Sequence, residues 1–113
     1  MAYYSKKERA ELRRLASEAY ERELGRHLVE LDKSFSEWRR GKLPSSELSN
    51  AIHQFHQHTA RDVWSTYQVP DEPMLVARAI AMGIVSEEEV PVTLREKLRD
   101  SLALFAERKE SAV

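Results

Sequence analysis

From Lys6 to Arg40, apolar residues recur at Leu12, Leu15, Ala16, Ala19, Tyr20, Leu24, Leu28, Leu31, Phe35 and Trp38, mostly in steps of three and four. That spacing lines one side of a 3.6-residue helix. It predicts a first helix over about 6–40, roughly 50 Å long if straight. Gly25 falls inside the pattern. A helix-interior glycine costs about 1 kcal/mol against alanine, so the position reads as a kink, a break, or a close approach by another backbone. Gly41, with Pro44 shortly after it, ends the helix, because glycine suits the left-handed residue just past a helix end.

Leu48, Ile52, Phe55, Thr59, Val63 and Tyr67 then follow at steps of four, three, four, four and four. They predict a second helix over 46–67, capped by Ser45 or Ser46. Gln68–Pro73 reads as a loop, with Asp71 as the next cap and Pro73 in the first turn. Met74–Met82 is apolar on most sides and predicts a short central helix over 73–82, stopped by Gly83. Ser86 with Glu89, and Thr93 with Glu96, each have the spacing of a capping box, and Pro91 separates them. The last helix is expected over 94–110, burying Leu94, Leu98, Leu102 and Phe105, with Ser111–Val113 a frayed tail. No segment alternates with period two. The fold class is all-α: one helical domain of three long helices and one short one, mostly antiparallel.

At 113 residues, 42% hydrophobic and 33% charged, the chain suits one folded domain with charged helix surfaces. It has no cysteine, which removes disulfides, thiolate metal sites and a cysteine nucleophile together. No apolar run follows Met1, and Met74–Val85, the longest nearly apolar stretch, is interrupted by Arg78 and too short to span a bilayer. The expectation is a cytoplasmic protein with no membrane partner. The net charge of -1 weighs against nucleic acid, whose binding requires a basic excess. Along the first helix Arg9, Arg13, Arg14, Arg22, Arg26, Arg39, Arg40 and Lys42 alternate with glutamates, as on a salt-bridged exposed face.

Candidate chemistry concentrates in the second helix: His53, His56, His58, Arg61, Asp62 and Trp64. His53, His56, Ala60, Trp64 and Tyr67 form a stripe flanking the core stripe, so this helix reads as contacted on two sides. The plainer reading makes His56 a core-edge histidine and packs His53 and Trp64 on the first helix. A sharper one has His53 and His56, spaced i and i+3, share a metal, but a zinc or iron site needs at least a third ligand, and Glu30 or Glu37 would have to supply it. Arg22 and His27 resemble the Arg-x4-6-His motif of the HEPN helical ribonucleases, in which both residues act on the RNA phosphate; Glu23 stands where that family carries Asn, Asp or His. No phosphate loop, nucleophile elbow or catalytic carboxylate pair is present, so no catalytic residue and no cofactor is assigned.

The stretch Glu47–His56, followed by Arg61-Asp62, resembles a group of small bacterial proteins with an Ile-His-x-Phe-His core, and Ala77–Pro91 is similar as well. The resemblance covers about residues 19–105. It implies a small helical bacterial protein without implying an activity. Together these features predict an interaction or regulatory protein, with His53, His56, Arg61 and Trp64 as candidate contacts. The first helix outruns its predicted partners, so Leu12 and Leu15 are expected to lack cover within the chain and to serve a homodimer or another protein; the alternative is a helix broken at Gly25 whose first half folds back onto the third and fourth helices.

Overall fold

The computed structural model describes residues 3–111, with side chains described through Phe105. In chain order the elements are α1 (Lys6–Arg39), α2 (Ser45–Gln54), a π-helical turn (Phe55–Thr59), α3 (Ala60–Thr66), α4 (Glu72–Ala81), a 3-10 turn (Glu87–Glu89), α5 (Val92–Lys97) and α6 (Arg99–Ser111). There is no strand among the described residues, so the chain is all-α. The chain divides into two compact units: residues 1–19 with 69–113, and residues 20–68. Ala112 and Val113 of the expected frayed tail lie outside the described residues.

α1 starts at a capping box. The Ser5 hydroxyl accepts from the Glu8 amide at 3.0 Å, and the Glu8 carboxylate accepts from the Ser5 amide at 2.9 Å, which satisfies two of the amide donors a helix start leaves open. The helix then runs unbroken through Gly25, and nothing lies within 4 Å of the position a Cβ would occupy there. A break at Gly25, or a close approach by another part of the chain, is therefore not what the glycine marks. α1 ends at Gly41, φ 74°. The Gly41 amide donates to the Trp38 carbonyl at 3.0 Å and the Lys42 amide to the Glu37 carbonyl at 2.9 Å, the paired bonds of a Schellman ending.

In the unit of residues 1–19 and 69–113, the core is built from Leu12, Leu15, Ala16 and Ala19 of α1, Leu75, Val76, Ala77 and Ala79 of α4, and Ile84, Val85, Val90, Leu94 and Leu98 beyond it. Leu12 and Leu15 are each only 1% exposed. The expectation that they await a partner is corrected: residues 69–105 supply their cover. Asp71 caps α4 by accepting from the Met74 amide at 3.2 Å. Gly83, φ 71°, ends it with a second Schellman pair, the Ile84 amide donating to the Ala79 carbonyl at 2.8 Å. Ser86 and Glu89 make the expected capping box. Thr93 and Glu96 do not: α5 begins at Val92 directly after Pro91, without a side-chain cap. The expected last helix is split, since Leu98 leaves regular α geometry between α5 and α6.

Lys97 ties the start of the chain to α5. Its ammonium donates to the Glu8 carboxylate at 2.7 Å and to the Tyr3 carbonyl at 2.9 Å, and stands 5.2 Å from the Tyr3 ring centroid. The Lys97 hydrogen bond, then that of the Ser5 amide, hold the Glu8 carboxyl below its usual range. Beside it the Tyr4 phenol is pushed up, first by burial and then by the neighbouring Tyr3, Asp71 and Glu8.

Candidate interaction surface

Residues 20–68 form a helical hairpin whose arms are α1 from Tyr20 onward and the continuous run α2, π turn, α3. Three contacts set its antiparallel register. At the open end the Tyr20 and Tyr67 rings meet edge to face at 5.4 Å, and the Tyr67 hydroxyl donates to Glu23 Oε1 at 2.8 Å. At the turn the Trp38 indole donates to the Ser45 hydroxyl at 3.0 Å. Ser45 is thus the first residue of α2 and bonds Trp38, while Pro44 occupies the cap without a side-chain bond; the expected serine cap is not made.

The π turn changes the phase of the second arm. Successive apolar steps of four, from Phe55 through Thr59 and Val63 to Tyr67, overrun the α period by about 40° each. Three such steps accumulate about one residue of excess rotation, and the π turn, closed by the Ala60 amide donating to the Phe55 carbonyl, takes it up. Phe55, Thr59, Val63 and Tyr67 consequently all stay buried or half-buried, whereas Ile52 is 41% exposed.

The hairpin buries little of its apolar surface. Among its residues only Glu23, Leu48 and Val63 fall below a tenth exposed, while Leu28, Val29, Trp38, Ile52 and Trp64 stand between 41% and 57%. Two helices can cover only the facing line of each other. The inward residues include His27, Leu31 and Ser34 on the first arm, and Ala51, Phe55 and Thr59 on the second, and together with Glu30 and Gln54 they line an open groove of about 280 Å³.

Side chains adjoining this inward line sort onto two faces. Leu28 follows His27 by one residue, Ile52 follows Ala51 and Trp64 follows Val63. Each is turned by about 100° in the same rotational sense. Because the arms run antiparallel, equal rotation on both carries all three to the same face of the hairpin. By the same rule Glu30 and Gln54, which precede Leu31 and Phe55, belong to the opposite, groove-bearing face. His56 follows Phe55 inside the π turn and so joins Ile52 and Trp64 on the apolar face, whereas His53 and Arg61, two residues past the inward Ala51 and Thr59, lie at its outer edge, turned away from the first arm. All three are exposed.

The structure thus places His56 and Trp64 on the apolar face of the second arm, with His53 and Arg61 at its outer edge, and Leu12 and Leu15 in the core of the other unit. It does not bring Arg22 and His27 together. Five residues on an unbroken helix place them about 140° apart and 7.5 Å along the axis, with His27 in the groove. No group of three His, Cys, Asp or Glu residues able to hold a metal occurs among the described residues. The buried Glu23–Tyr67 bond was not foreseen, because Glu23 reads as one more charge on a salt-bridged helix. The available signal was that Glu23 lies on the inward side between Tyr20 and Leu24. The chain matches no protein-family model, no curated protein and no solved structure. No helix among the described residues is long and apolar enough to cross a membrane.

Proposed function

We propose that the chain is a helical interaction protein, and that the apolar face of the 20–68 hairpin is its working surface. The observation that carries this reading is the combined exposure of Leu28, Ile52 and Trp64 on one face, bordered by His53, His56 and Arg61. Large apolar side chains grouped on one face and rimmed by polar ones are characteristic of partner sites. Tryptophan and arginine are also the residue types that most often dominate binding energy. Unpartnered, such a face leaves apolar surface in water at a cost of about 25 cal/mol per Å².

Hydroxyl-radical footprinting tests the proposal. Trp64, Ile52 and Leu28 are expected to be reactive in purified protein at nanomolar concentration and protected in intact host cells. Val29, which is 57% exposed and turned away from this face, serves as the unprotected reference. Equal reactivity of Trp64, Ile52 and Leu28 in both settings would overturn the reading.

A further inference from the structure

The unit of residues 1–19 and 69–113 carries a site of its own. We infer that the amino-terminal end of α1 and the start of α4 bind a small zwitterion there, an α-amino acid. Three observations support this: a small hollow with an apolar floor, unpaired charges of both signs around it, and a wall that the chain pins in place.

The hollow has a volume of about 130 Å³ and is lined by Tyr4, Arg9, Leu12, Arg13, Glu72 and Pro73. That is room for a few waters or one molecule of comparable bulk, which sets the size of the ligand. Leu12, buried in the core, and the Pro73 ring supply its apolar part. An aliphatic side chain, not a second charged group, suits that part of the lining.

The charges around it are unspent. Arg9 and Arg13 stand four residues apart on α1, so their side chains leave the same side of the helix. Both are exposed, and neither guanidinium has an ion pair or a side-chain hydrogen bond among the described residues. Their neighbour Arg14, by contrast, is paired with Glu11. Glu72, half-buried in the first turn of α4, is also without an ion pair among the described residues. Two cations and an anion thus line one hollow without meeting across it. A ligand with a carboxylate and an ammonium on the same carbon bridges that gap. Its carboxylate takes the guanidinium pair, the side chains best matched to a planar oxyanion; its ammonium takes Glu72, and its side chain lies on Leu12 and Pro73. A bare anion such as phosphate would satisfy the arginines but face Glu72 with like charge.

The wall is held from two directions. Tyr4 belongs to the segment before α1, and Lys97 of α5 pins that segment by donating to the Tyr3 carbonyl at 2.9 Å and to the Glu8 carboxylate at 2.7 Å. The same ammonium stands 5.6 Å from the Tyr4 ring centroid. The Ser5–Glu8 capping box fixes the first turn of α1 directly below Arg9. The Tyr4 side of the hollow is therefore set before a ligand arrives, which lowers the ordering cost of binding.

The test is an NMR titration of the full chain, following backbone amide shifts at fixed ionic strength, with far-UV circular dichroism on each variant. The probes are L-alanine, propionate, which lacks the ammonium, alaninamide, which lacks the carboxylate, and inorganic phosphate. L-alanine is expected to bind and to shift the amides of Leu12, Arg13 and Glu72. Propionate, alaninamide and phosphate should each bind at least about tenfold more weakly. Arg9→Gln and Arg13→Gln should each weaken L-alanine by at least about tenfold, while Arg14→Gln leaves it unchanged. Glu72→Gln should abolish the preference for L-alanine over propionate. No saturable shift with L-alanine, or shifts confined to residues away from the hollow, would overturn the inference. Phosphate or propionate binding as tightly as L-alanine would overturn it as well, and so would L-alanine binding that is indifferent to Arg9→Gln and Arg13→Gln.

Discussion

Replacing Leu15 by alanine separates a core role from an interface role for the amino-terminal half of α1. Leu15 is 1% exposed within the chain. Truncation to alanine removes about three buried carbon groups, worth roughly 2.4 kcal/mol at about 0.8 kcal/mol each, and leaves a cavity the surroundings fill only in part. Leucine-to-alanine changes in comparable sites cost about 2.7–5.0 kcal/mol, so about 3 kcal/mol is expected, a large share of the 5–15 kcal/mol that typically holds a domain. With an unfolding entropy near 2.1 cal/mol/K per residue, that loss corresponds to a melting shift of about 12 °C if the chain unfolds as one. Urea titration followed by circular dichroism at 222 nm measures it, with Val29→Ala as the exposed control at under about 0.5 kcal/mol. Both tryptophans, Trp38 and Trp64, lie in the hairpin. Their fluorescence therefore reports that unit, while dichroism reports both. A Leu15→Ala cost below about 1 kcal/mol would refute the assignment of Leu15 to the core.

Two glycine substitutions should move stability in opposite directions. Gly25→Ala, where a methyl meets nothing within 4 Å, should stabilise the chain by about 1 kcal/mol, measured by urea titration. Gly83→Ala, at φ 71°, should cost about 1–2 kcal/mol by the same assay. Glu8 is held below the usual carboxylate range by Lys97. Its contribution is therefore complete above its unfolded value, about 4.3, and is lost as pH falls through the lower folded value. Glu8→Gln should lower stability at neutral pH and flatten the acid limb of a stability-pH profile below about pH 4.5. Tyr67→Phe removes the hydroxyl that donates to Glu23 and should cost about 1.5–3 kcal/mol, read by tryptophan fluorescence during urea unfolding.

The helices were legible in the sequence because their signals are local. Steps of three and four, Gly41 and Gly83 past helix ends, Asp71 as a cap and the Ser86–Glu89 box all act within a few residues, and each does in the structure what its chemistry requires. What eluded the sequence is set by residues far apart in the chain. Leu12 and Leu15 read as uncovered from helix lengths, and the return of residues 69–105 over them was tied to a break at Gly25 that the helix does not make. Gly25 reads as a kink, a break or a close approach because a helix-interior glycine is unfavourable, but propensity is a weak prior, and a helix anchored in two separate units tolerates the cost of one glycine. The Thr93–Glu96 box failed for a local reason of another kind: Pro91 sets the helix start at Val92, so Thr93 already lies inside the first turn.

The candidate surface was half legible, and the half that was missed depends on the π turn. His53, His56 and Trp64 could be picked out as part of a flanking stripe from the second helix alone, without Arg61, but which flank of the hairpin they occupy depends on rotation along that arm. A regular α-helix from Ser45 to Tyr67 would carry Trp64 and Arg61 about one residue's rotation away from where they stand, out of line with Ile52 and His53. The run of fours from Phe55 to Tyr67 was the visible sign that a regular helix would not hold this stripe inward. By absorbing the excess rotation at Phe55–Thr59, the π turn keeps Val63 and Tyr67 on the inward line, and it also keeps the outer stripe on a single face. π turns recur at functional sites because they re-aim side chains without ending a helix. Here the turn brings the exposed Trp64 back into line with Ile52 on one face of the second arm.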